Sequence, residues 1–228
     1  MFKHINQISE QAFILDFGSN INIDDNIKIN LFSEFILNSL KKKNNLRIRN
    51  CVPSYNKILI QFDPVKTDKL LLIKYLKSIK LPIKTKKYKK KILEIPICYD
   101  DLFALDINEI SFQTKYKKKD IIENHLDQIF HVFMIGFLPG LPFMGSLEND
   151  LNIPRKLKPR IKVPKGSVGI VDNLCVIYPQ DCPGGWNIIG KTPINLFYKN
   201  LKDPLYIKPG YKIKFNRITS KEFNAYEK

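Results

Sequence analysis

The sequence has 228 residues, of which 44% are hydrophobic and 11% aromatic, enough to bury the core of one large domain or two small ones. No stretch approaches the roughly 20 uninterrupted apolar residues of a membrane span, and the amino terminus lacks the basic and apolar blocks of a signal peptide. We therefore expect a cytoplasmic protein without a membrane partner.

The chain carries a formal charge of +16, with 38 basic against 22 acidic residues. A basic protein can bind nucleic acid because neutralised phosphates release counterions. Here the excess is lysine rather than arginine, and the lysine runs at 41–43, 84–91 and 117–119 belong to no recognisable nucleic-acid module. We expect no nucleic-acid partner, since an acidic partner subunit accounts for the charge equally well.

The four cysteines, at positions 51, 98, 175 and 182, have no C-x-x-C spacing and do not indicate a disulfide framework. The three histidines form no recognisable ligand motif with them. The sequence therefore predicts no metal site.

Residues 1–84 are predicted to form a small α+β domain. Period-two runs predict strands, and apolar residues at helical spacing predict helices. The predicted elements, in chain order, are a strand at 11–17, a helix at 27–40 with Asp24 or Asp25 as its N-cap, strands at 46–49 and 57–62, and a helix at 71–79 capped by Asp68. This order is typical of a split βαβ unit.

Residues 85–228 are predicted to form a second, β-rich domain. The boundary is placed in the basic segment 82–91, which has almost no apolar anchors. Beyond His131, glycine and proline become frequent and helical periodicity largely disappears, which predicts a barrel-like sheet with long loops. The predicted elements are helices at 101–105 and 119–130 and strands at 91–98, 167–171, 174–178 and 212–215.

A loop rich in glycine and proline contains Gly136, Phe137, Pro139 and Gly140. Glycine permits close backbone approach and proline restricts φ, so such a loop can be rigid and can point its amides at a ligand. The alternative is a set of tight turns of the barrel.

Two arginines, Arg155 and Arg160, each follow a proline, and a turn at Gly166 and Ser167 comes shortly after them. The planar guanidinium suits carboxylate or phosphate, and neighbouring prolines reduce the freedom lost when it is positioned. The alternative is a pair of solvent-facing arginines on an edge strand.

The third motif places Tyr178 before the run Gly184, Gly185 and Trp186, which contains the only tryptophan of the chain. A Gly-Gly turn beside a tryptophan can leave backbone amides open on one side and an aromatic wall on the other. This arrangement suits a small planar amide, although Trp186 alone could be a core anchor.

These motifs, in this order and spacing, closely resemble the family of B-type subunits of bacterial 5-oxoprolinases, which is also called KipI-like or allophanate hydrolase subunit 1 and is of the carboxyltransferase-domain C and D type. The resemblance covers nearly the whole chain, since it extends to Pro53-x-Tyr55 upstream and to Pro209-Gly210-Tyr211 downstream. It implies a small α+β amino-terminal domain followed by a cyclophilin-like β-barrel domain.

The resemblance also implies a function. The chain would act with a C-type subunit, related to allophanate hydrolase subunit 2, and with an A-type subunit, in a complex that opens the lactam of 5-oxoproline to L-glutamate at the expense of ATP. No G-x-x-x-x-G-K-[ST] loop is present, so ATP is expected to bind mainly to the partner subunits.

Residue roles follow as hypotheses. Arg155 and Arg160 would stabilise developing negative charge as the catalytic residues, and the amides around Gly184 and Gly185 would act as oxyanion donors. The predicted substrate-binding residues are Gly136, Phe137, Pro139, Gly140, Gly166, Ser167, Tyr178, Gly184, Gly185 and Trp186.

Four positions depart from the family pattern. Leu174, Cys175 and Val176 stand where a polar run is common, and His131 stands where a tyrosine is usual. Either the substrate differs or these positions only pack. His125 is a candidate base, but its place among apolar neighbours on a predicted helix is more typical of a packed or surface histidine.

Two other functions remain open from the sequence. Some KipI-like relatives are implied by their name to inhibit a sensor histidine kinase, so this chain could be a regulatory binding protein. A component of a urea-amide hydrolysing system is a third possibility. Genes for A-type and C-type subunits beside this one would favour the enzyme, and a neighbouring sensor kinase would favour the regulator.

Overall fold

The computed structural model describes residues 2–40, 46–80, 92–145 and 153–226. The chain divides into two compact units, Met1–Lys89 and Lys90–Lys228. The boundary predicted between residues 84 and 85 lies outside the described residues. Among the described helices, none is both long enough and apolar enough to span a lipid bilayer.

The first unit is a four-stranded antiparallel sheet with two helices, in the strand order β1-β2-β4-β3. Because β4 pairs antiparallel with both β2 and β3, those two strands run parallel to each other and are joined by the first helix. This is the predicted split βαβ arrangement. Its elements are β1 (His4–Ser9), β2 (Ala12–Asp16), α1 (Ile23–Leu40), β3 (Ile48–Pro53), β4 (Lys57–Phe62) and α2 (Lys69–Ser78).

Three details of the first unit differ from prediction. Strand β3 runs from Ile48 to Pro53 instead of over residues 46–49. Strand β1 was not predicted, because its outward-facing polar residues show no apolar alternation. Helix α1 begins before both candidate caps, so Asp24 and Asp25 lie in its first turn and the Asn22 side chain accepts the Asp25 backbone N–H at 2.8 Å instead. The Asp68 cap of α2 is confirmed, since its carboxylate accepts two backbone N–H groups of the first turn.

The second unit is built on a seven-stranded sheet in the order β12-β9-β10-β7-β6-β13-β5, beside a two-stranded ribbon of β11 and β8. Residues Cys98 and Lys191, at the ends of the two edge strands, exchange backbone hydrogen bonds of 2.9 and 3.0 Å, so the sheet curls on itself. The α+β class with a barrel-like second unit is therefore confirmed. Its elements are β5 (Ile92–Ile97), α3 (Ile107–Thr114), α4 (Lys118–Asp127), β6 (Ile129–Ile135), β7 (Pro142–Gly145), β8 (Arg160–Val163), β9 (Ser167–Val171), β10 (Leu174–Ile177), β11 (Cys182–Gly184), β12 (Asn187–Lys191), β13 (Lys212–Arg217) and α5 (Ser220–Ala225).

The predicted helices of this unit were only partly right. Residues 101–105 form a turn, and the helix lies further on, where Ile107 and Ile110 of α3 are fully buried. The helix predicted at 119–130 ends at Asp127, because Ile129 and Phe130 belong to β6, which pairs with β13 and β7. The strands predicted from residues 167, 174 and 212 are present.

Candidate functional site

The fold brings the second and third motifs together through the backbone. The ribbon pairs β8 with β11 and sets Arg160 opposite Gly184. Before the ribbon, the Lys156 N–H donates to the Gly185 carbonyl at 2.9 Å, and the Asn187 side-chain amide donates to the Pro154 carbonyl at 2.9 Å. The segment that carries both arginines therefore lies directly along the Gly-Gly-Trp run.

The two arginines have different surroundings. The Arg160 guanidinium donates to both carboxylate oxygens of Asp106, at 2.8 and 2.5 Å, in a bidentate pair. Arg155 is exposed, and no ion pair joins it to a carboxylate among the described residues. Its side chain lies over Gly185, where an added Cβ would come within 2.9 Å of the Arg155 Nε.

Asp106 is the centre of this charge cluster, and sequence reasoning missed it. Its side chain is only 1% exposed, yet besides Arg160 it accepts the Lys156 ammonium at 2.9 Å and the Ile188 N–H at 2.7 Å. Lys156 also pairs with Glu109 at 2.6 Å. Burial raises the pKa of the Asp106 carboxyl, but the hydrogen bonds from Arg160, Ile188 and Lys156 outweigh it and hold the pKa below its ordinary value. Asp106 is therefore ionised at neutral pH.

An aromatic wall stands beside the arginine segment. Tyr178 is buried, and its ring and hydroxyl lie so close to Gly184 that any Cβ there would collide with them. The Trp186 indole is half-buried and meets the Phe143 ring edge-on, with centroids 6.0 Å apart. Burial raises the pKa of Tyr178 to about 12, so its hydroxyl keeps its proton at neutral pH.

Gly166 and Ser167, two of the predicted substrate-binding residues, contact the backbone of Tyr178. The Gly166 N–H donates to the Tyr178 carbonyl at 2.8 Å, and the Ser167 carbonyl accepts the Tyr178 N–H at 2.9 Å. Ser167 itself is buried. Both residues therefore position Tyr178 through the backbone.

The glycine–proline loop reaches the wall through its apolar side chains. Leu138 and Leu141 pack in one cluster with Tyr178 and Trp186. Within the loop, the Gly136 N–H donates to the Leu141 carbonyl at 3.1 Å, and Gly140 is buried. The loop tip, with Phe137 and Pro139, is exposed to solvent.

The positions that depart from the family pattern are mostly packed. Cys175 is buried in the barrel core and Val176 in the cluster that contains Tyr178, while Leu174 is half-buried. His131 is buried and meets the Phe133 ring edge-on at 4.9 Å. Cys175 and Val176 thus fill the interior of the second unit.

His125 lies in the barrel core, away from solvent. Its Nδ1 is 2.7 Å from the Tyr99 hydroxyl and its Nε2 is 3.6 Å from the Cys175 Sγ. Burial lowers the pKa of His125 to about 3, so the ring is neutral at physiological pH. This is the packed histidine that the sequence favoured over a base.

The geometry offers two chemical features together. An exposed guanidinium can bind a carboxylate, a phosphate or a polarised carbonyl oxygen. The half-buried Trp186 indole adds an aromatic face, whereas Gly184 and Gly185 are buried against the Tyr178 and Arg155 side chains respectively. Among the described residues, no group of three or more histidine, cysteine, aspartate or glutamate side chains is arranged to hold a metal ion.

Comparison with known proteins agrees with the motifs. The B-type subunit of the 5-oxoprolinase of Bacillus subtilis (strain 168) is 30% identical over 234 residues, which are 98% of this chain and 96% of that protein. The crystal structure of TTHA0988 matches 92% of this chain with a TM-score of 0.80 and 26% identity, and this chain spans 40% of that protein. The urea carboxylase of Kluyveromyces lactis shares the fold, with a TM-score of 0.72 and 18% identity over 97% of this chain and 22% of the carboxylase.

The resemblance inferred from the motifs is confirmed by these relatives. A family model for the carboxyltransferase domain, subdomain C and D, matches residues 3–207, which is most of the sequence. The chain therefore belongs to the carboxyltransferase domain, subdomain C and D, family.

Proposed function

We propose that this chain is a subunit of an ATP-dependent 5-oxoprolinase complex that opens the lactam of 5-oxoproline to L-glutamate. The proposal is supported by the Bacillus subtilis relative, which is named as the B-type subunit of a 5-oxoprolinase and matches nearly end to end. A C-type subunit and an A-type subunit complete the complex, and ATP is held mainly by those partners.

The chemistry explains why an arginine and backbone amides are useful. A lactam is a stable amide. Transfer of the ATP γ-phosphoryl group to its oxygen releases ADP and makes the ring carbon a better electrophile. One water then adds to that carbon and the ring C–N bond breaks, and a second water releases the phosphate to leave L-glutamate. Negative charge then grows on the oxygen atoms around that carbon, where fixed donors act most strongly. In our proposal Arg155 and Arg160 supply positive charge, the Gly184–Gly185 amides supply oxyanion donors, and Trp186 contacts the ring.

The observation that carries the proposal is the position of Arg155. Its guanidinium is exposed and lies against Gly185, next to the Tyr178–Trp186 wall. Arg160 donates two of its N–H groups to Asp106. It would therefore act on the substrate through its positive charge, and not through a bidentate hydrogen bond. The two arginines therefore have distinct roles in the proposed site.

The direct test is glutamate release from 5-oxoproline by this chain co-expressed with its A-type and C-type partners. ATP-dependent release that disappears when this chain is omitted supports the proposal. A soluble, assembled complex that hydrolyses no 5-oxoproline would contradict it. Release that is unchanged in the absence of this chain would also contradict it.

Replacing Arg155 with Ala is expected to lower kcat/KM of the assembled complex about 10- to 100-fold. A hydrogen bond to a charged group contributes about 1.5–3 kcal/mol, and each 1.4 kcal/mol is about a factor of ten in rate. The matched control is Lys158→Ala, which removes an exposed cation from the same segment. Steady-state kinetics in which Arg155→Ala and Lys158→Ala behave alike would remove Arg155 from the site.

Replacing Gly185 with Ala is expected to reduce activity while leaving the fold intact. The added Cβ would come within 2.9 Å of the Arg155 Nε, and a flexible arginine can move away at little cost. We expect an unfolding free energy within about 1 kcal/mol of wild type and at least a fivefold loss of kcat/KM, since a small misplacement of a positioning group is costly. Unchanged activity in a stable variant would show that the Arg155 position over Gly185 is not used.

A further inference from the structure

A single buried carboxylate joins three segments that come from distant parts of the sequence. Asp106 precedes helix α3, and its backbone N–H donates to the Ile188 carbonyl at 2.8 Å. Its side chain accepts the Ile188 N–H in return, at 2.7 Å. Asp106 is thus fastened to β12 immediately after the Gly-Gly-Trp run by a backbone and a side-chain contact.

The same carboxylate also holds the arginine segment. It receives two hydrogen bonds from Arg160 and one from Lys156, so the segment is fastened to Asp106 on both sides of the exposed Leu157. Arg155 lies between Pro154, whose carbonyl is held by Asn187, and Lys156, whose backbone N–H and ammonium are both bonded. The backbone on each side of Arg155 is therefore fixed.

The arrangement needs a carboxylate rather than an amide. The two oxygens of Asp106 accept four donors in total, three of them from the cations Lys156 and Arg160. An asparagine would place an NH₂ group against N–H donors at one of the two positions, and it would leave two partly buried cations without a buried counter-charge. Capping of helix α3 does not explain the carboxylate, since the Asp106 side chain makes no cap hydrogen bond to its own helix.

We propose that Asp106 is the positioning residue that sets Arg155 relative to the Gly184–Gly185 amides. The role rests on the proposed function, because it serves the same site. Asp106 contacts no substrate in this scheme; it acts through Lys156, Arg160 and Ile188.

The first measurement is hydrogen exchange of the isolated full chain. Asp106→Asn is expected to exchange at least tenfold faster than wild type in peptides covering residues 154–163 and at the Ile188 amide. The matched control is Asp181→Asn, which removes a carboxylate that bonds Lys162 and the Lys165 N–H in the next turn. That variant is expected to leave the Ile188 amide unchanged. Wild-type exchange in Asp106→Asn would overturn the proposal.

The second measurement is the kinetics of the assembled complex. Asp106→Asn is expected to lower kcat about tenfold or more, Asp106→Glu to recover part of it, and Asp181→Asn to stay within twofold of wild type. If Asp106→Asn does not fold, Lys156→Gln serves instead. It removes one donor, keeps the Arg160 pair and should produce smaller changes in the same direction. A tenfold rise in exchange with kcat within twofold of wild type would overturn the positioning role.

The two proposals fail in distinguishable ways. A wild-type complex without 5-oxoprolinase activity contradicts the proposed function whatever Asp106 does. Exchange in the isolated chain then still reports whether Asp106 fixes the arginine segment, and unaltered exchange overturns that inference on its own.

Discussion

Replacing Gly166 with Ala is expected to destabilise the second unit by about 2–5 kcal/mol, combining about 1–2 kcal/mol of left-handed backbone strain with an overpacking cost of about 1–3 kcal/mol. Gly166 has a φ of +81°, and a Cβ there would collide with the backbone carbonyl of Thr192. That carbonyl belongs to a segment already tied to Gly166 through the Thr192 N–H, at 2.9 Å. The collision therefore has no flexible side chain to absorb it.

The measurement is urea unfolding followed by the fluorescence of Trp186, which is the only tryptophan in the chain and reports on the second unit. The matched control is Gly210→Ala, because Gly210 has a φ of +78° and carries the same backbone strain without the Thr192 carbonyl. We expect Gly166→Ala to lower the unfolding free energy by at least about 1 kcal/mol more than the control does. Equal losses in the two variants would show that strain alone accounts for Gly166.

The first unit could be predicted from sequence because its signals are local. Strand β4 alternates so regularly that Ile58, Ile60 and Phe62 are all fully buried, and Asp68 is followed, after Lys69, by the apolar residues of α2. Strand β1 lacked such a signal, since a polar edge strand is held by pairing with β2 rather than by burial. Elements of the first unit with a clear local pattern, such as β4 and α2, could therefore be predicted from the sequence.

In the candidate site, too, features set by local sequence could be predicted, and features that depend on distant contacts could not. Glycine and proline restrict the backbone locally, so the three motifs could be recognised without knowing what they touch. Asp106 could not, because its partners Lys156, Arg160 and Ile188 lie 50, 54 and 82 residues away. In the sequence Asp106 is one acid between the apolar residues 102–105 and the start of a helix, a place that is equally typical of a helix cap. Its role exists only once the fold has brought three segments together.

Lowering the pH from 7.0 to 4.5 is expected to destabilise the second unit through His125. The ring is buried and its pKa is lowered to about 3, whereas in an unfolded chain the pKa of histidine is about 6.5. Between these values the unfolded state binds a proton that the folded state does not, so stability falls as the pH falls below about 6.5. At about 1.4 kcal/mol per pH unit, the loss at pH 4.5 is about 2–3 kcal/mol.

The test compares wild type with His125→Phe by urea unfolding at both pH values, read from Trp186 fluorescence. The variant loses the titrating ring and leaves the Tyr99 hydroxyl without its 2.7 Å partner, so it should be less stable than wild type at pH 7.0 by about 1–3 kcal/mol. Its further loss on acidification should be smaller than that of wild type by about 2 kcal/mol, because the variant lacks the neutral His125 ring that the unfolded wild-type chain would protonate. His4→Asn, which removes an exposed histidine from the first unit, is the control and should keep the wild-type slope. Carboxylates also begin to bind protons below about pH 5, but they are the same in both proteins, so their contribution cancels in the comparison. Parallel losses in wild type and His125→Phe would mean that the core histidine is not the group that makes the second unit sensitive to acid.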